Sequence, residues 1–160
     1  MRSVLFVCTG NICRSPTAEA VLRGLMCKAG LYTSVQVDSA GTHHYHVGEP
    51  PDERAQAHAR RRGYELCELR ARQLEGADYE RFDLLLAMDR GHLEVMQRQC
   101  PGKQRHKLRL FMEFASASGV REVPDPYHGG PEGFEQVLDL VEDAARGLIA
   151  QLQNHLRVST

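Results

Sequence analysis

Two kinds of hydrophobic run alternate along the chain. Short, nearly unbroken apolar stretches have strand length, and longer stretches space their apolar positions at helical intervals. Residues 4–7 form the first short run and predict a buried strand. A helix is predicted over residues 17–29, with Pro16 near its start, where a missing N–H costs little, and Gly30 at its end. Residues 35–39 predict a second strand, followed by a loop over residues 41–51 and a helix over about 52–62 that Gly63 closes. Residues 82–88 are a third, almost wholly apolar strand. A helix over about 91–99 follows, with Pro101-Gly102 beyond it, and residues 107–111 predict a fourth short strand. The longest helical pattern covers residues 132–156, where Phe134, Val137, Leu138, Val141, Leu148 and Leu152 make one apolar stripe.

Strands that are apolar on both faces and separated by helices imply a parallel sheet covered on both sides. The expected fold is therefore a three-layer α/β domain. No repeat, low-complexity segment or Ser/Gly-rich linker divides it, so one domain is expected over residues 1–160. Ligands of open parallel sheets bind beyond the carboxyl ends of the strands. The first strand ends at Cys8, which makes the segment Cys8-Thr9-Gly10-Asn11-Ile12-Cys13-Arg14-Ser15 the place to look for chemistry.

Composition narrows the class. A formal net charge of −1 gives no general attraction for nucleic acid, and none is expected as a partner. Nothing approaches the roughly 18 consecutive apolar residues of a membrane span, and the apolar start is too short for a signal peptide, so no membrane insertion is expected. The five cysteines are odd in number and irregularly spaced, which points to a reducing cytoplasm rather than a disulfide framework. The basic runs Arg60-Arg61-Arg62 and residues 103–109 can bind anions but read first as solvated faces and loop ends. The cluster His43, His44 and His46 reads as surface histidines, and no metal site is expected.

The loop after the first strand has the makings of an anion site. Joining a strand to a helix, it can converge its backbone N–H groups at the helix N-terminus. Gly10 and Asn11 tolerate the left-handed angles of a tight cradle. Arg14 can close on the same anion with its planar fork. A helix N-terminus, converging amides and a guanidinium each favour a thiolate, so Cys8 is the candidate nucleophile, with the Ser15 hydroxyl placed to support its sulfur. Cysteine and arginine six positions apart are weak evidence alone, since roughly half a chance match is expected in so arginine-rich a chain. The strand before, Gly-Asn within and Ser-Pro-helix after supply the specificity.

A thiolate that displaces an alkoxide or phenoxide from phosphorus needs a proton donor for the leaving group. Asp125 in Val123-Pro124-Asp125-Pro126-Tyr127 is the candidate, because the flanking prolines stiffen its backbone. Pro-Asp-Pro is equally good chemistry for a plain surface turn, and spacing alone does not decide between them.

With these residues in view, the chain resembles the low-molecular-weight protein tyrosine phosphatases over nearly its whole length. The likeness rests on residues 4–16, on Asp38-Ser39-Ala40-Gly41-Thr42, Ala71-Arg72-Gln73-Leu74, Met88-Asp89 and Asp125-Pro126-Tyr127, in that order. The resemblance implies a flavodoxin-like, phosphotyrosine phosphatase I type fold with a four-stranded parallel sheet. It implies metal-independent hydrolysis without a cofactor, through a phosphocysteine on Cys8. Arg14 and the amides of Thr9, Gly10, Asn11, Ile12, Cys13, Arg14 and Ser15 would hold the phosphate, and Asp125 would act as acid and then base. Asn11 would brace the loop with Ser39 behind it, and Ser15 would assist the thiolate. Ile12, Tyr45, Tyr127 and His128 stand where the family places a rim for an aromatic ring. Ile12 favours phosphotyrosine, since members resembling arginine phosphatases tend to carry Thr there.

Two departures from animal members are Leu69, in place of a His, and His128, in place of a second Tyr; the loop over residues 46–50 looks bacterial. The implied partner is a phosphotyrosine-containing protein, specifically a bacterial tyrosine kinase of surface-polysaccharide export, met by a monomer or weak dimer. Cys13 is open to two readings: a reversible disulfide with Cys8, or a side chain that packs beneath the loop. An arsenate reductase would need a downstream cysteine pair, and Cys67 and Cys100 are too far apart in sequence to suggest one. A phosphate-binding module without catalysis would need neither the thiol nor the acid.

Overall fold

The computed structural model describes residues 2–31, 34–116 and 119–158, with side chains described up to residue 154. The expected domain also takes in residues 1, 32–33, 117–118 and 159–160, which lie outside the described residues. Strand β1 (Ser3–Cys8) leads through the cysteine loop into helix α1 (Arg14–Lys28). Strand β2 (Gln36–Gly41), helix α2 (Glu53–Arg61), the single turn α3 (Asp78–Arg81) and strand β3 (Leu84–Ala87) follow. Helix α4 (Arg90–Gln99), strand β4 (Leu108–Leu110) and helix α5 (Pro131–Val158) complete the fold, with 3-10 turns at Gly102–Lys107 and Phe111–Phe114.

All four strands are parallel, in the order β2-β1-β3-β4. Their side chains alternate between two cores, as the pleat requires. Val4, Phe6, Leu84 and Leu86 face the layer that holds α1 and α5; Leu5, Val7, Leu85 and Ala87 face the layer of Tyr79, Phe82 and Met96. The three-layer architecture is the expected one, and the apolar runs at residues 4–7 and 82–88 are apolar throughout because both of their faces are covered.

Several boundaries move, each for a local reason. Helix α1 begins at Arg14 rather than 17, because Pro16 occupies the first turn, where an absent N–H removes no helical bond. Strand β2 runs on to Gly41, paired with the end of β1 at Cys8. The turn α3 and the 3-10 segments are too short to show a helical period in sequence. The arginine run is only partly a solvated face. Arg60 pairs with Glu65 at 3.0 Å, and Arg62 reaches Glu135, Asp139 and Glu142 on α5, at 2.8, 3.0 and 2.5 Å, tying α2 to that helix.

Candidate active site

The loop from Cys8 to Ser15 forms a cup at the carboxyl end of β1. Its carbonyls are engaged from outside. Thr42 N–H donates to the Cys8 oxygen at 2.8 Å, His43 N–H to Thr9 at 3.0 Å and Asp52 N–H to Ile12 at 2.8 Å. The Thr17 hydroxyl takes the Cys13 oxygen at 2.7 Å. With these carbonyls turned outward, the loop presents its N–H side inward, toward the free N-terminus of α1. Asn11 supplies the left-handed residue the curve needs, at φ 59°. Gly10 serves differently: a Cβ there would meet the ring of His46 at 2.9 Å.

Beneath the cup runs a hydrogen-bonded chain. Arg72 N–H donates to Asn11 Oδ1 at 3.0 Å, which leaves Asn11 Nδ2 to donate to the Ser15 hydroxyl at 2.8 Å and to Ser39 at 2.9 Å. Ser39 in turn donates to Glu19 Oε1 at 2.7 Å. Burial raises the pKa of Glu19 against the opposing pull of Ser39 and Arg23. Ser15 Oγ lies 2.9 Å from Cys8 Sγ. Since the serine oxygen already accepts from Asn11, its own hydrogen is available for the sulfur.

Arg14 is 4% exposed, and its fork is held edge by edge. Nη1 donates to Asp89 Oδ2 at 2.8 Å and to the Val123 carbonyl at 3.0 Å; Nη2 lies 3.8 Å from Asp125 Oδ2. Burial pushes the carboxyl of Asp89 up, but the His92 amide and ring and the Arg14 guanidinium outweigh it, and the net direction is down. Asp125 Oδ1 is occupied by Tyr127 N–H at 3.0 Å, an Asx turn that aims the carboxyl and leaves Oδ2 to its long contact with Arg14.

Cys8, Arg14 and Asp125 line one cavity of about 260 Å³, together with Ile12, Cys13, Tyr45, Tyr127 and His128. The expected rim residues are therefore brought to the mouth of the expected cup. Tyr45 is 65% exposed and stacks on His43 at 5.0 Å between ring centroids, while Tyr127 meets His128 edge-on at 4.9 Å. His46, read from sequence as a surface residue, also lines this cavity.

Cys13 is buried as a free thiol, and burial, followed by the Asp52 charge, pushes it up. Cys67 is exposed and Cys100 packs in the opposite core, so neither joins the cavity. Among the described residues, no group of three His, Cys, Asp or Glu side chains is placed to hold a metal ion. No helix among them is long and apolar enough to cross a membrane.

The family model described as low molecular weight phosphotyrosine protein phosphatase matches residues 3–158. The chain belongs to that family. It is 46% identical to a putative low molecular weight protein-tyrosine-phosphatase of Synechocystis, covering 96% of this chain and 98% of that one. The crystal structure of a protein tyrosine phosphatase from Entamoeba histolytica superposes with a TM-score of 0.94 at 37% identity, over 97% of this chain and 99% of that one. The structure of YfkJ from Bacillus subtilis superposes at 0.90 and 37% identity, over 97% and 96%. Within this low molecular weight phosphatase, sequence reasoning missed Glu19, Asp89 and His92 as parts of the site. Asp89 and His92 did carry a signal: an Asp-x-x-His pair opening a helix directly after a buried strand.

Proposed function

We propose that this chain hydrolyses phosphotyrosine in proteins, with Cys8 as nucleophile and Asp125 as acid and base. The observation that carries this reading is the joint lining of one cavity by Cys8, Arg14 and Asp125. In the first step the Cys8 thiolate forms a bond to phosphorus and the ester P–O bond breaks. The Asp125 proton passes to the departing phenolic oxygen. Loop amides and Arg14 hold the equatorial oxygens, where charge is spread in the transition state. In the second step Asp125 takes a proton from water, the new P–O bond forms and the P–S bond breaks. The products are inorganic phosphate and the Cys8 thiolate, whose return the Ser15 hydroxyl eases.

The tyrosine ring would stand between Ile12, Tyr45 and Tyr127, which line the same cavity as Cys8. We read the chain as a single domain whose partner is a phosphotyrosine-containing protein, with a bacterial tyrosine kinase as the specific expectation. Of the two readings of Cys13, a thiol that is buried and hard to ionise favours packing beneath the loop over disulfide exchange.

The test is phosphate release from phosphotyrosyl, phosphoseryl and phosphoarginyl compounds at mildly acidic pH, without metal or added thiol. Turnover of the phosphotyrosyl compound alone, abolished in Cys8→Ser, supports the reading. Retained turnover in Cys8→Ser overturns it.

A further inference from the structure

His92 sits on α4 behind the phosphate cup, and the proposed reaction gives it no part. It is 5% exposed. Its Nε2 lies 2.8 Å from the Thr9 hydroxyl and 3.4 Å from Arg14 Nη2. Its Nδ1 lies 3.1 Å from Asp89 Oδ1, a charge contact that is off the line of a hydrogen bond. Two of these neighbours have fixed character: a guanidinium only donates, and an ionised carboxylate only accepts. Together they assign the ring, with its lone pair on Nε2 toward Arg14 and its proton on Nδ1 toward Asp89. Thr9, which can do either, then donates its hydroxyl hydrogen to Nε2.

Burial, reinforced by the Arg14 charge and by His43, lowers the pKa of His92 to about 4 against the opposing effect of Asp89 and Asp125, so the neutral ring is the working form. Neutrality matters for Arg14. Its Nη1 edge is satisfied by Asp89 and Val123, but among the described residues Nη2 has a 3.4 Å share of the Nε2 lone pair, held also by Thr9, on one side and the Asp125 carboxylate, at 3.8 Å, on the other. With no acceptor at position 92, Nη2 gains by closing onto Asp125. That would block the cup and engage the carboxyl oxygen needed for proton transfer.

We infer that His92 is a positioning residue for oxyanion binding, a neutral acceptor that sets Thr9 and the Nη2 edge of Arg14 before phosphate arrives and keeps Arg14 off Asp125. The inference rests on the reading of the Cys8 loop as a phosphate site. Its value is preorganisation: groups already aimed spend less binding energy on being ordered.

The experiment measures competitive inhibition by inorganic phosphate, kcat/KM and Tm for the wild type, His92→Ala, His92→Gln, Thr9→Val and the Thr9→Val/His92→Ala double variant. His92→Ala is expected to weaken phosphate binding about tenfold, the usual cost of losing a buried hydrogen bond to a charged group. His92→Gln, whose side-chain oxygen can replace the Nε2 acceptor, is expected to recover most of that loss. Thr9→Val should weaken binding alone yet add little on top of His92→Ala. Phosphate binding by His92→Ala at wild-type strength overturns the inference, as does a Gln variant no better than Ala or full additivity in the double variant. If His92→Ala fails to fold, Thr9→Val and His92→Gln decide: wild-type phosphate binding by Thr9→Val overturns the inference. If the wild type itself shows no competition by phosphate, the phosphate-loop reading falls first and the inference falls with it.

Discussion

Asn11 donates to the hydroxyl of Ser15 at 2.8 Å, and that direction decides where the serine proton goes. The amide cannot be flipped, because its oxygen accepts from the Arg72 backbone N–H. Ser15 is left to donate to Cys8 Sγ at 2.9 Å, so the network is built around a sulfur that accepts.

Ser15→Ala removes that donor and should act on the leaving thiolate more than on the attacking one. Hydrogen bonds to charged groups contribute about 1.5–3 kcal/mol, so the second step should slow by about 10- to 100-fold. Rapid-quench kinetics should then show a burst of leaving group and an accumulated phosphocysteine. Uniform slowing with no burst would mean that the serine does not assist thiolate departure.

Asp125→Asn keeps the Asx turn's shape but cannot donate a proton. For phenyl or alkyl phosphates kcat/KM should fall by about 10²–10⁴, the usual worth of a positioned acid, and for p-nitrophenyl phosphate by far less. The measurement is kcat/KM across a series of leaving groups, since that constant reports the steps up to P–O cleavage. A slope against leaving-group pKa equal to that of the wild type removes Asp125 from the acid role.

The cup was legible in sequence because it is local: the end of the strand, the loop, the arginine and the start of the helix lie within the eight residues from Cys8 to Ser15, and their geometry follows from being adjacent. Asp125 was legible from spacing only as a stiff turn; the family resemblance gave it the acid's role, and the fold brings it to the cavity that Cys8 lines. Asp89 was quoted in the family likeness without a role and His92 escaped, because both come from the β3–α4 junction, and the parallel β1–β3 pairing brings that junction beside the cup. Glu19 reads as a solvated helix position by its chemistry, yet it is 2% exposed, because the first turns of α1 are buried on almost every side. Burial of a polar side chain is a tertiary fact that helical spacing cannot report. His46 reads as one of a surface cluster for the same reason, until the ring is found against Gly10.

Gly41 is the point where β2 passes under the cup. A Cβ there would stand 2.6 Å from the Thr9 carbonyl oxygen and 3.1 Å from the Gly10 carbonyl carbon, both backbone atoms with no rotamer to change. Gly41→Ala should therefore displace the loop, at about 1–3 kcal/mol of overpacking strain. Phosphate affinity is expected to fall further than that strain alone predicts, because the cup's amides move with Thr9 and Gly10. Titration with inorganic phosphate alongside Tm separates the two. Wild-type affinity in a destabilised Gly41→Ala would show that the contact shapes the fold and not the cup.

Stability should also depend on pH through His92. Its pKa is lowered from 6.5 to about 4 in the folded state, chiefly by burial and next by the Arg14 charge. Between those values the unfolded chain binds the proton and the folded one does not. Stability therefore rises with pH across that window and is fully present above the unfolded value. As pH falls, the loss begins near the unfolded value and is complete below the folded one, where it amounts to about 3 kcal/mol from this residue. Asp89 acts in the same sense at lower pH. Its depressed carboxyl contributes stability above its ordinary value of 3.8, and that contribution is lost as pH falls through the folded value. His92→Gln has no proton to take up and should flatten the upper window. Urea unfolding of wild type and His92→Gln from about pH 7 to about pH 4 reads the difference directly. Parallel loss of stability in the two proteins across that range would mean that the imidazole is not held neutral behind the cup.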